Sequence, residues 1–413
     1  MDEILISHCV GKPAFAEATA RSRRSASREG GRSEPEAAFR LTRPSGAREV
    51  RVSSRYYSGV RFRRTTISCV ATAFFLTLSG APDAAGLTFP LQSQWTATLP
   101  VPPSFVPAYD ADTAYLSLRN DQLVALSLKD GTTMWSVECP MSTAPAAGGG
   151  SIFVGREGLI ESRSQSDGSV QWQRPIRGRI TSLYWDTGWL LATTEQGTLM
   201  ALRATDGEIL WQRELGAPLH SVPAPAGDRL YLSLKDGRLV ALALASGNDI
   251  WTRQLPQPGN AILALADRLY LGSLDDRFYC LDTKDGAVRW SWRAGADVIG
   301  GAVIDARRVY FVALDNVLRA LDRKNGTMHW KRVLPMRPST GPLFGGNTLI
   351  VSGVAAELHA YTPDGLPVGD FVLLGSRGEE MQLAAPPHLT PQDLLIILTK
   401  SGQIRALTSA TPP

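Results

Sequence analysis

The sequence predicts an all-β fold: an eight-bladed β-propeller of four-stranded antiparallel blades, closed by pairing of its N- and C-terminal strands. Three observations predict it. Tryptophans recur at a period of about 40 residues. The same short alternating strands and turns recur inside each period. One last unit is split, with its pieces at opposite ends of the chain.

The period is read from Trp95, Trp135, Trp172, Trp211, Trp251, Trp290 and Trp330, spaced 40, 37, 39, 40, 39 and 40 residues apart. One more period lands at Asp370-Phe371, where the tryptophan is lost. About 40 residues suit four short strands with their turns. The period ending at Trp251 serves as the type. Ser221–Ala226 is a small apolar segment, and Arg229–Leu234 alternates as a strand. Asp236-Gly237 then makes a hairpin turn, the glycine supplying the positive φ such turns require. Leu239–Leu244 returns, Ser246-Gly247 turns again, and Ile250–Leu255 is the outer strand.

The hairpin recurs at Asn120-Asp121, Glu157-Gly158, Gln196-Gly197, Asp236-Gly237, Asp275-Asp276, Asp315-Asn316, Ala355-Ala356 and Ser401-Gly402, which makes eight. Each returning strand carries a small residue at one place: Ala125, Ser162, Ala201, Ala241, Cys280, Ala320, Ala360 and Ala406. Cys280 thus replaces an alanine and reads as a packing residue. Ala406 has no tryptophan after it, whereas Trp95 has no alanine before it. Pairing the Trp95 strand with Ile404–Thr408 completes the last blade and removes two exposed sheet edges.

Within a unit, a glycine follows the small residue by six positions and the tryptophan follows it by ten. The runs are Ala125, Gly131, Trp135; Ser162, Gly168, Trp172; Ala201, Gly207, Trp211; Ala241, Gly247, Trp251; Cys280, Gly286, Trp290; and Ala320, Gly326, Trp330. This pattern resembles the tryptophan-docking motif of the PQQ-type, or quinoprotein-like, eight-bladed propellers. The resemblance covers residues 95–409. It implies that each indole lies flat between the alanine of its own blade and the glycine region of the next. A large flat ring buries much apolar area, and only small residues leave room for it.

The chain divides into three parts. Residues 60–86 read as a signal peptide: Arg61, Arg63 and Arg64 precede an apolar run, and Ala81, Ala84, Ala85 and Gly86 follow it. An uncleaved membrane anchor is the alternative. Residues 1–59 are rich in Arg, Ser, Ala and Glu without apolar periodicity, and are expected to be disordered or not translated, with a start at Val60. Residues 87–413 form the propeller. Residues 1–85 hold 14 Lys and Arg against 8 Asp and Glu, leaving 29 against 31 in the body. The folded body is close to neutral and lacks the basic face that nucleic acid needs. Cys139 and Cys280, the body's cysteines, have no metal-ligand spacing. Two buried thiols or one disulfide between them are the readings.

The repeat is shared by dehydrogenases that use PQQ and calcium and by BamB-like scaffold proteins of outer-membrane protein assembly. The dehydrogenases are longer and carry cofactor-building insertions, and many have adjacent cysteines; this chain has neither feature. No cluster of Asp, Glu and Asn stands outside the turns to make a calcium site, and the histidines His220, His329, His359 and His388 are isolated. The expectation is no catalytic residue, no metal and no cofactor. The resemblance implies a monomeric, non-catalytic scaffold in the periplasm or cell envelope. It would bind a protein partner of the outer-membrane assembly machinery and touch the membrane only peripherally. A periplasmic or secreted binding propeller of another role is the alternative, and a PQQ-dependent dehydrogenase a remoter one. BamB-like proteins are usually lipid-anchored through a cysteine at the cleavage site. Cys69 lies ahead of most of the apolar run, so a soluble periplasmic protein is expected instead. Candidate partner-binding residues are Arg177, Arg179, Tyr184, Trp185 and Trp189: three aromatics the repeat does not require, beside two arginines. Such residues are enriched in binding hot spots. Filling of a local gap is the competing account of the three rings.

Overall fold

The computed structural model describes residues 86–375, 378 and 381–410. The expectations for residues 1–59 and for the signal peptide at 60–86 lie outside the described residues, Gly86 excepted. All regular structure described is β-strand, and every strand pairing is antiparallel. The regular sheet is well represented by the one carrying Trp251. Its strands Ala224–Ala226, Arg229–Ser233, Arg238–Ala243 and Asp249–Gln254 lie side by side in chain order. The two middle strands are buried on both faces, while the outer strand alternates. That is the pattern of a sheet clamped between neighbouring sheets with one edge facing water.

The turns follow the sequence closely. Gly197, Gly237 and Gly402 take φ of 86°, 85° and 88°, and Asp121, Asp276 and Asn316 take 59°, 63° and 59°. Asp and Asn are the non-glycine residues that tolerate this region best. In the outer strands the register slips by one residue beside the tryptophan: Ala241 pairs with Trp251, but Leu242 pairs with Asp249. A bulge of this kind adds local twist, and the same slip recurs beside Trp135, Trp211, Trp290 and Trp330.

The expected number of blades is corrected. The described strands form seven sheets, not eight: six of four strands and one of six. The physical reason lies at Gly178, where the outer strand of one unit runs on into the inner strand of the next. Ser151–Ser164 is strand throughout and folds back at Gly158, φ 71°, so that Gln165 N donates to Gly150 O at 3.2 Å. The next strand, Val170–Asp186, runs 17 residues without a break. It pairs with Ser151–Ser164 on one side and with Trp189–Thr194 on the other. The units carrying Trp172 and Trp211 therefore share one fused sheet, and the propeller has seven blades.

The two ends of the described chain meet in one sheet. Leu91–Thr98 pairs with Gln403–Ser409, with Trp95 opposite Ala406. Apolar clusters fill the seams between successive sheets. Leu116 and Val124 pack with Ile396 and Ile404, and Leu269 and Leu271 pack with Tyr231 and Leu239. Cys139 and Cys280 are both fully buried and free. Burial pushes the Cys280 thiol up to about 11 and raises that of Cys139.

Candidate partner-binding site

Each tryptophan of the repeat faces a small residue in its own sheet and a glycine in the next unit. Trp135 is paired with Ala125, Trp172 with Ser162, Trp290 with Cys280 and Trp330 with Ala320. A Cβ added to Gly131, Gly168, Gly207, Gly247, Gly286 or Gly326 would stand 2.5–2.8 Å from the ring of Trp95, Trp135, Trp172, Trp211, Trp251 or Trp290 respectively. The same indoles donate from Nε1 to backbone carbonyls of the next unit. Trp95 reaches Leu128 O at 2.9 Å, Trp211 reaches Leu244 O at 2.8 Å and Trp251 reaches Thr283 O at 2.9 Å.

Two parts of this arrangement were missed in the sequence. Gly365, φ 78°, receives the ring of Trp330. Arginines two residues after the tryptophan also cross the seam: Arg174 Nε donates to Gly207 O at 2.7 Å and Arg213 Nη1 to Gly247 O at 2.9 Å. The recurring Trp-x-Arg spacing was the signal for these.

The fused sheet creates the most distinctive surface. Gly178 takes φ of 91°, and a Cβ there would lie 2.5 Å from Gln196 Oε1. It is the positive φ that calls for glycine here, where the long strand passes from one unit to the next. On one side of Gly178 lies a cavity of about 790 Å³ lined by Met141, Ser142, Arg156, Glu157, Arg179 and Glu195. On the other side is one of about 480 Å³ lined by Ile176, Arg177, Gln196, Gln212 and Glu214. Arg177 and Arg179 are exposed. Arg156 is braced from beneath: its Nη1 lies 3.7 Å from Oε2 of the fully buried Glu161. Glu161 also accepts from Arg163 Nε at 2.5 Å and from Gln173 Nε2 at 2.7 Å. The cations Arg156 and Arg179 and the carboxylates Glu157 and Glu195 thus line the larger cavity together with Met141. Such a surface suits a polar peptide chain rather than a phosphate backbone.

The structure separates the five candidate residues into two groups. Trp185 is half-buried, and its ring covers the backbone of Gly148, where an added Cβ would stand 2.1 Å from Cε3. It packs with Phe153, Ile180 and Leu190. Tyr184 and Trp189 are half-buried against Leu191, Leu230 and Leu232. These three rings fill seams on the two sides of the inner strand, whereas Arg177 and Arg179 stay at the surface by the cavities.

The histidines occupy separate places. His220 Nε2 lies 3.1 Å from Asn260 Oδ1, so it bridges two inner segments rather than sitting in a solvated loop. His388 stacks on Tyr109, ring centroids 3.9 Å apart, and burial lowers its pKa. His329 and His359 lie beside Asp322 and Glu357. Among the described residues no three His, Cys, Asp or Glu side chains are grouped to hold a metal ion.

Comparison with known proteins agrees with this architecture. A family model described as the outer membrane protein assembly factor BamB matches residues 92–175, 156–266 and 235–370. The BamB of Nitrosomonas eutropha (strain DSM 101675 / C91 / Nm57) is 30% identical over 118 residues, 28% of this chain and 29% of that protein. The BamB of Yersinia pestis is 32% identical over 126 residues, 29% of this chain and 31% of that protein. The chain thus spans about a third of the length of these curated relatives. The crystal structure of BamB from Moraxella catarrhalis superposes with a TM-score of 0.64 at 16% identity, covering 79% of this chain and 99% of that one. That likeness shows the fold. The matched segments of the family model together cover more than half of the sequence, and the chain belongs to the BamB family of PQQ-type repeat proteins.

Proposed function

We propose that this protein is a non-catalytic scaffold of the cell envelope that holds a protein partner during outer-membrane protein assembly. Membership of the BamB family carries the reading. The surface beside Gly178 supports it: two exposed arginines, cavities of about 790 and 480 Å³, and a rigid double sheet beneath them. Docking needs a preorganised surface, and a strand anchored to one neighbour before Gly178 and to another after it supplies one at little entropic cost. The seven interlocked indoles serve to keep the ring rigid. The protein acts as an exported, periplasmic monomer that meets the membrane only through its partner.

Affinity capture from the envelope fraction tests this. Wild-type protein should retain outer-membrane insertase components, and Arg177→Glu with Arg179→Glu should lose most of that capture while unfolding at an unchanged temperature. Equal capture by the charge-reversed protein would reject this surface. Trp185 is unsuitable for the test, since its ring is part of the packing.

A further inference from the structure

The seam between the last sheet and the Trp95 sheet has no indole. In the last unit Ala360 pairs with Gly369, so glycine occupies the place that tryptophan holds elsewhere. The expected landing point, Asp370-Phe371, lies one step further along: Asp370 pairs with His359 and Phe371 with Leu358. What fills the gap comes from the other side. A Cβ on Gly369 would stand 2.9 Å from Phe89 Cβ and 3.2 Å from Phe89 Cδ1. At the other seams the ring sits on one unit and the glycine on the turn of the next. Here the glycine sits on the earlier unit, and the ring belongs to the segment leading into the Leu91–Thr98 strand.

That segment is fastened along its length. Leu87 is 1% exposed, packed among Ile350, Leu358, Leu395, Ile397 and Leu407 of both sheets. Gly86 lies backbone to backbone with Gly346: an added Cβ would meet the Gly346 Cα at 2.3 Å. Thr88 N donates to Ser409 Oγ at 2.8 Å, and Ala410 N donates to Pro90 O at 2.9 Å. Both ends of the ring are therefore tied through the same few residues.

We propose that Leu87–Phe89 is a strap that locks the ring at the seam lacking an indole, with Phe89 in the indole's place and the glycine and the ring exchanged across the seam. The strap also has a polarity. Leu91 pairs with Ser409 at one end of the terminal sheet and Thr98 with Gln403 at the other. The strap enters at the Ser409 end, beside the Gly346 turn. The Arg179 cavity lies at the opposite end, with the hairpin turns such as Gln196-Gly197 and Ser401-Gly402.

Hydrogen exchange read by mass spectrometry on the full chain tests the strap. Phe89→Ala should speed exchange about tenfold or more in Glu357–Val372 and Leu91–Thr98, and leave Arg229–Gln254 unchanged. No acceleration, or an equal one in every sheet, would overturn the proposal. The double variant Phe89→Cys with Gly369→Cys gives a second reading. Oxidation should form a bond between these two residues in peptide mapping and restore wild-type protection at the seam, and reduction should remove it. Failure of the pair to bond, or a bond that restores no protection, would equally sink the strap.

Discussion

The ion pair buried in the second unit offers the sharpest test of how this ring is held together. Ser162 faces Trp172 as Ala241 faces Trp251. Glu161 and Arg163 therefore stand where the Trp251 sheet has Val240 and Leu242, two aliphatic residues 4% and 0% exposed. Glu161 is 0% and Arg163 8% exposed, so both charges have left water. Glu161→Val would leave the Arg163 guanidinium with only its bond from Nη1 to Gly168 O at 2.9 Å. Arg163→Leu would leave a buried carboxylate facing Gln173 alone at full contact. Breaking one partner of a buried pair costs about 3–5 kcal/mol, whereas replacing both by aliphatics is often neutral or better. Against a total stability of roughly 5–15 kcal/mol, either single change should be severe. The double variant, which recreates the Val240 and Leu242 arrangement, should lie within about 1 kcal/mol of wild type. Equilibrium urea unfolding followed by tryptophan fluorescence measures all three. A double variant as unstable as the two single losses added together would refute this, because the site would then depend on the charges themselves.

Three other outcomes are expected. Asp305 is held down to about 2: burial opposes ionisation, but Tyr310 Oη, the backbone N–H groups of Arg307 and Arg308 and the Arg308 guanidinium outweigh it. A carboxyl with a lowered folded pKa stabilises above its unfolded pKa and loses that contribution as pH falls toward the folded one. Asp305→Asn should therefore destabilise at pH 7 and flatten the stability loss between about pH 4 and 2, as measured by thermal melts across that range. Gly286→Ala should lower the melting temperature well below that of Gly188→Ala. Both glycines have positive φ, but only the first would push a Cβ to 2.8 Å from Trp251, while nothing lies within 4 Å of the second. Equal losses would show that strain, not the indole contact, sets the cost. Cys139 and Cys280 should resist a thiol reagent in the native protein at pH 8 and react only on unfolding, since burial raises both thiols. Fast labelling of either in native protein would contradict their placement.

Much of this protein was legible in its sequence because the repeat repeats its physics. A ring that needs a flat slot demands small residues at set distances, so Ala241, Gly247 and Trp251 declare a seam by their spacing alone. Turns that need positive φ declare themselves through Gly237, Asp276 and Asn316. The terminal closure was legible from Ala406 and Trp95, each of which lacks its partner nearby in sequence. Tertiary structure alone decided where the repeat is broken. The spacing of Trp172 and Trp211 does not say whether the strand of one unit stops or runs on; that depends on hydrogen bonds to neighbours far along the chain, and here Val170–Asp186 runs on and fuses two units into one sheet. The role of Trp185 was likewise undecided: an extra ring reads the same whether it covers Gly148 or faces a partner, and only the packing separates these. The lock formed by Phe89 and Gly369 joins residues 280 positions apart with no repeated spacing to announce it. Local pattern dictates the unit; contacts between distant segments dictate how many units close, and with what.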